Sequence, residues 1–143
     1  MENFTIATAE SCTGGLVASR LTDLSGASNY FKGGVVAYTN EIKKLILHVE
    51  AETLEKFGAV SSQTALEMAT NVREIFSTTI GLSTTGVAGP LTSEDKPVGL
   101  VYVAIVGEDF SEVKEFHFTG SRTEIKFQAA DEVFNLLMRK VSV

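Results

Sequence analysis

Two short stretches of this chain hold the residue types that could do covalent chemistry: Glu10-Ser11-Cys12-Thr13-Gly14-Gly15, and Tyr38-Thr39-Asn40-Glu41-Ile42-Lys43 about thirty positions later. Ser11 follows the apolar, β-branched run Phe4 to Ala9 and precedes the helically spaced Leu16 to Leu24, so it falls at a strand-to-helix turn. An exposed nucleophile is easily placed there. Gly14 and Gly15 let the backbone approach a ligand, and the N–H groups of the first helical turn favour an anion or a developing oxyanion. The plain alternative is a tight Gly-Gly turn without chemistry.

Serine needs a base. His48 follows an apolar helical stretch and His117 sits mid-strand, so both read as structural or solvated. Lysine can replace histidine if its pKa falls far enough to leave neutral amine at working pH. Lys43, in the first turn of a helix and beside Lys44, meets the positive end of the dipole and a like charge, and burial beside Ser11 would add to both. The Tyr38 hydroxyl could relay the proton or hold the lysine. Against this Ser-Tyr-Lys reading stands the ordinary one, in which Lys43 is a solvated charge and Tyr38 is packing. Cys12 is a rival nucleophile at the same turn but has no evident base, and otherwise reads as a small buried filler.

Gly86-Val87-Ala88-Gly89-Pro90 matches neither the P-loop nor the dinucleotide fingerprint. As a glycine turn after a buried strand it can cradle a phosphate or ribose, with help from the Thr84 and Thr85 hydroxyls, or be a plain loop. Arg122 and Lys96 are candidate phosphate partners or surface charges. Glu10 is a site carboxylate or the polar end of a strand.

These residues need a scaffold to converge. The pattern predicts strands at about Phe4–Thr8, Gly33–Tyr38, Thr78–Thr85, Leu100–Val106 and Val113–Thr119, with Leu100–Val106 central and fully buried. Helices are expected from Gly14 to Leu24, from Glu41 to Leu47 behind an Asn40 cap, and from Ala51 to Phe57, stopped by Gly58. Ser61 or Thr64 opens a longer helix whose Ala65, Met68, Ala69, Val72, Ile75 and Phe76 form an inward stripe. Ser121-Arg122-Thr123-Glu124 is a capping box for a last helix to about Lys140. Strands alternating with helices predict an α/β fold: a three-layer α/β/α sandwich around a largely parallel, mixed sheet of about five strands. In such folds ligands gather at the carboxyl ends of the strands, where Ser11–Gly15, Tyr38–Lys43 and Thr84–Gly89 all fall.

With 143 residues, 44% hydrophobic and 21% charged, the chain fits one domain able to bury its own core. A net charge of -6 with no basic stripe opposes nucleic acid or an anionic membrane as partner. One cysteine and two histidines leave no disulfide and no Cys- or His-rich metal site, and no signal peptide or bilayer-length apolar run is evident. A cytoplasmic location is expected, with no cofactor.

At these same residues the sequence resembles the CinA C-terminal domain family, whose enzymes are nicotinamide-mononucleotide deamidases. The matching text is Thr8 to Gly15, Gly34 to Lys43, Gly58 to Ser61, Thr85 to Pro90, Lys96 to Gly99 and Gly120 to Arg122, in the family's order along nearly the whole chain. The resemblance implies hydrolysis of the carboxamide of nicotinamide mononucleotide to nicotinate mononucleotide and ammonia, a salvage step without metal. It makes Ser11 the nucleophile, Lys43 the general base and Tyr38 the assisting hydroxyl. Candidate substrate contacts are Glu10, Thr13, Gly14, Gly15, Asn40, Thr85, Gly86, Gly89 and Arg122, with the glycine turns holding the phosphoribosyl part. Family members usually carry a helical segment before the first strand, so here one face of the sheet is expected either to be less covered or to be completed by a partner subunit in a homo-oligomer. Leu91 to Asp95 also replaces the family's glycine-rich loop, and the nucleotide-pyrophosphatase domain of longer members is not expected. The alternative is a non-catalytic nucleotide-binding or regulatory module, in keeping with the family's link to competence and DNA damage.

Overall fold

The computed structural model describes residues 3 to 141. The strands are β1 (Ile6–Glu10), β2 (Phe31–Val36), β3 (Ile80–Gly86), β4 (Leu100–Val106) and β5 (Ser111–His117). The helices are α1 (Leu16–Leu21), α2 (Asn40–Leu45), α3 (Ala51–Phe57), α4 (Ser62–Ile75) and α5 (Arg122–Val141), with a 3₁₀ turn at Ala27–Asn29. The sheet order is β2-β1-β3-β4-β5. Ile6, Ile80, Leu82, Val101, Val103 and Ile105 turn one face toward α1 and α5, where Val17, Leu21, Ile125, Val133 and Leu136 meet them. Ala7 and Ala9 face Leu47, Leu54, Met68 and Val72 of the α2–α4 side. The α/β/α sandwich is therefore as expected.

The sheet is more evenly mixed than the apolar strands suggested. β1 pairs in parallel with β2 and β3, whereas β4 runs antiparallel to both β3 and β5. Parallel neighbours need a long crossover, usually a helix. No helix lies between Gly86 and Leu100, and only Gly107 to Phe110 separate β4 from β5, so the chain must fold straight back twice. β4 is interior and buried on both faces, but the middle strand is β3. The two reversals bring the start of β4 and the end of β5 to the edge where β1, β2 and β3 end. Val87 N–H bonds to the Leu100 carbonyl, and Phe118 N–H bonds to the Gly99 carbonyl. That register delivers the beginning of α5, with Arg122, to the same end of the sheet as Ser11.

Local signals set most element ends. The Ser61 hydroxyl accepts from Thr64 N–H at 3.1 Å to start α4. Ser121 and Glu124 form the reciprocal capping box of α5, at 2.8 and 3.2 Å. α1 is shorter than the expected Gly14–Leu24, because Gly14 and Gly15 hold left-handed φ values of 59° and 104° that no helix accommodates. In α2 the cap is Thr39, whose hydroxyl accepts from Ile42 N–H at 3.3 Å, and Asn40 is the first helical residue. Among the described residues no helix is long and apolar enough to cross a membrane.

Candidate active site

Glu10 ends β1 only 1% exposed, and its carboxylate bends around the turn it precedes. One oxygen accepts from the Thr13 hydroxyl and from the N–H groups of Gly15 at 3.2 Å and Val17 at 2.9 Å; the other accepts from Ala18 N–H at 2.9 Å. The side chain thus serves as the cap of α1, supplying the negative charge that a helix N-terminus favours. This corrects the expectation that Glu10, Thr13, Gly14 and Gly15 contact substrate. Gly14 N–H is bonded to the Ser11 carbonyl, and the fully buried Thr13 hydroxyl lies 2.7 Å from that of Thr84. None of the four lines the cleft described below. Among the described residues of this turn, the N–H groups of Cys12 and Thr13, directly after Ser11, make no backbone–backbone hydrogen bond.

Ser11 is 7% exposed, fastened by its own N–H to the Thr84 carbonyl at 3.0 Å. Its Oγ lies 2.9 Å from Lys43 Nζ, and the same ammonium donates to the Ala37 carbonyl at 2.9 Å. Ala37 is held in turn by an N–H bond to the Glu10 carbonyl. The end of β1, the residue after β2 and the fourth residue of α2 therefore form one knot. Lys43 is 2% exposed and is the largest fully buried side chain. Burial lowers its pKa from the ordinary lysine value, opposed in part by the neighbouring Cys12 and then Glu94. A lowered lysine beside a serine hydroxyl is the arrangement a serine–lysine amidase requires.

A cleft of about 400 Å³ opens onto this pair. Ser11, Tyr38, Asn40, Lys43, Thr85, Gly86, Gly89 and Arg122 line it, so eight of the sequence candidates converge. Tyr38 is half-exposed, and its hydroxyl accepts from Arg122, not from Lys43. The lysine is held by a backbone carbonyl instead. Arg122 also donates to the Gly89 carbonyl, and among the described residues no carboxylate pairs with its guanidinium. The Thr85 hydroxyl is already committed to the Ala59 carbonyl at 2.7 Å. Lys96 is no free phosphate partner either: it donates to the carbonyls of Phe57 and Val60 and to Glu94. Burial pushes the Cys12 thiol up to about 12, so Cys12 carries no thiolate near neutrality.

Another part of the cleft lining lies outside the residues the sequence singles out. Ala59, Val60, Leu91, Ser93 and Glu94 form part of it, and nothing in the polar run from Leu91 to Asp95 distinguishes a site residue from an ordinary loop.

Known proteins match both this sequence and its α/β/α sandwich. The family described as the CinA C-terminal domain matches residues 1–141, and the chain belongs to that family. It is 52% identical over 135 residues to a CinA-like protein of Syntrophomonas wolfei, covering 94% of this chain and 32% of that protein. The crystal structure of the competence/damage inducible protein CihA from Agrobacterium tumefaciens superimposes with a TM-score of 0.92 at 39% identity, over 96% of this chain and 85% of that one. A CinA superfamily protein from Escherichia coli gives 0.95 at 31% identity, over 98% and 82%. The chain spans about a third of the length of the curated relatives it matches.

Proposed function

We propose that this chain is an amidohydrolase that deamidates nicotinamide mononucleotide to nicotinate mononucleotide and ammonia through Ser11 and Lys43. The observation that carries the reading is the 2.9 Å contact between a serine hydroxyl at the floor of a cleft and a buried lysine amine. With Lys43 neutral, the amine accepts the Ser11 proton as Oγ attacks the carboxamide carbon. The backbone N–H of Cys12, the residue after Ser11 and itself part of the cleft lining, is the candidate donor to the oxyanion. The Lys43 ammonium returns the proton to the departing nitrogen, which leaves as ammonia, and the acyl group stays on Ser11 as an ester. Water then attacks that ester, Lys43 takes its proton, and collapse restores the Ser11 hydroxyl and frees the nicotinate product. Nucleophile and base are both side chains, so the scheme calls for no metal.

Arg122, exposed where it lines the cleft and hydrogen-bonded to neutral partners, supports binding of the phosphate there. The test is ammonia release from nicotinamide mononucleotide by the purified protein in the presence of a chelator, beside Ser11→Ala. Release by the parent and not by the variant supports the amidase. Silence from folded parent protein that still gains thermal stability with the nucleotide would replace it with a binding module.

A further inference from the structure

Glu94 is the one carboxylate on the cleft wall among the described residues, and the fold goes to some length to fix it. One of its oxygens accepts from Ala59 N–H at 2.8 Å, the other from Val60 N–H at 3.1 Å and Lys96 Nζ at 3.2 Å. Glu94 and Asp95 form a two-residue reversal between the bridged Ser93 and Lys96, with φ of 56° and 57°, a conformation that side-chain-bearing residues seldom hold. Gly58 makes room for them. A Cβ at that position would lie 2.6 Å from a Glu94 oxygen and 2.8 Å from Lys96 Nζ. Burial disfavours the carboxylate, but the two N–H groups and the lysine outweigh it and keep its pKa below the ordinary value, so it is ionised near neutrality. Lys43 and Glu94 line the same cleft.

The reaction scheme gives Glu94 no proton to move and no bond to make. What it supplies is a fixed negative charge on a cleft that is also lined by Arg122, which is positive and has no acidic partner among the described residues. Those opposed charges suit a dipolar ligand with a cationic ring near the dyad and an anionic tail outside. We propose that Glu94 determines specificity, its carboxylate selecting carboxamides borne on a cationic, N-alkylated aromatic ring over neutral rings of the same shape. This rests on the substrate reading above and adds the reason why a pyridinium amide is preferred.

The test compares binding of nicotinamide mononucleotide with that of its benzamide C-nucleotide, in which carbon replaces the ring nitrogen and the charge is lost while the phosphate and ribose remain. Calorimetry on Ser11→Ala protein keeps turnover out of the measurement. The ratio of the two affinities should favour the cation and should fall by about tenfold or more in Glu94→Gln, tenfold being roughly what unit charges a few ångströms apart give when screened as in bulk water. Lys96→Met removes the countercharge while Ala59 and Val60 still hold Glu94, so there the ratio should rise. A merely structural wall would leave the ratio unchanged in both variants or move it the same way in both, and either result overturns the proposal. Failure of the Ser11→Ala protein to bind either nucleotide would instead overturn the substrate reading, and this inference with it.

Discussion

Replacing Glu10 by glutamine tests whether the turn holding the nucleophile is built by that carboxylate. The amide can keep its carbonyl where the busier oxygen stands, accepting from Thr13, Gly15 and Val17. Its NH₂ then faces Ala18 N–H, donor against donor, in place of a 2.9 Å bond. An orphaned, partly buried N–H costs about 1–2 kcal/mol. Loss of charge assistance in the remaining bonds and of the anion at a helix N-terminus adds about 1 kcal/mol. The sum is about 2–3 kcal/mol, or roughly 6–12 °C in Tm for a domain of this size. Thermal unfolding of parent and variant reads it directly. Because Ser11 is the next residue, kcat should fall at least about tenfold with little change in KM, as for a loss felt in the transition state. A Tm within about 2 °C of the parent, or unchanged kcat in a destabilised variant, would refute the view that Glu10 positions the turn.

Because burial lowers Lys43, the unfolded chain binds more protons than the folded one between the depressed pKa and the lysine value of 10.5, so stability should rise with pH through that window. Below it the cost of burying the ammonium is fully present. Urea titrations at several pH values should show the rise in the parent and not in Lys43→Met, while kcat/KM rises through the same depressed pKa as neutral amine appears. Cys12→Ala should keep kcat within about threefold, since its thiol is protonated, and lose about 1 kcal/mol of stability for the buried sulfur; a large loss of kcat would make the thiol catalytic. Tyr38→Phe and Arg122→Met break the same hydrogen bond, so their effects on KM should be markedly less than multiplicative when combined; independent losses would separate their roles.

The layers of the fold were legible because apolar runs such as Leu100–Val106 and stripes such as Ala65, Met68, Ala69 and Val72 carry their periods openly. Strand direction was written in the connections: a polar loop and a four-residue turn cannot carry a parallel crossover, whatever the hydrophobicity of the strands they join. The convergence of Ser11, Tyr38, Lys43 and Thr85 followed from placing their segments at strand ends, whereas Arg122, read only as near a helix start, is brought there by the direction of β5. What stayed hidden depends on where side chains turn. Glu10 looks like any acidic strand terminus until its carboxylate is seen taking up the N–H groups of α1, and the bond of Tyr38 to Arg122 joins residues 84 positions apart. Glu94 owes its place on the cleft wall to a reversal with left-handed residues that have no glycine to announce it.

The central claim is that Ser11 and Lys43 act as one unit on a carboxamide, and a double-mutant cycle in kcat/KM for nicotinamide mononucleotide tests it most directly. Ser11→Ala and Lys43→Met should each lower kcat/KM by about a thousandfold or more, and the double variant should be scarcely worse than either, because removing one member of a cooperating pair already removes its function. Losses that multiply, or a Lys43→Met enzyme retaining more than about a tenth of parental activity, would contradict the dyad.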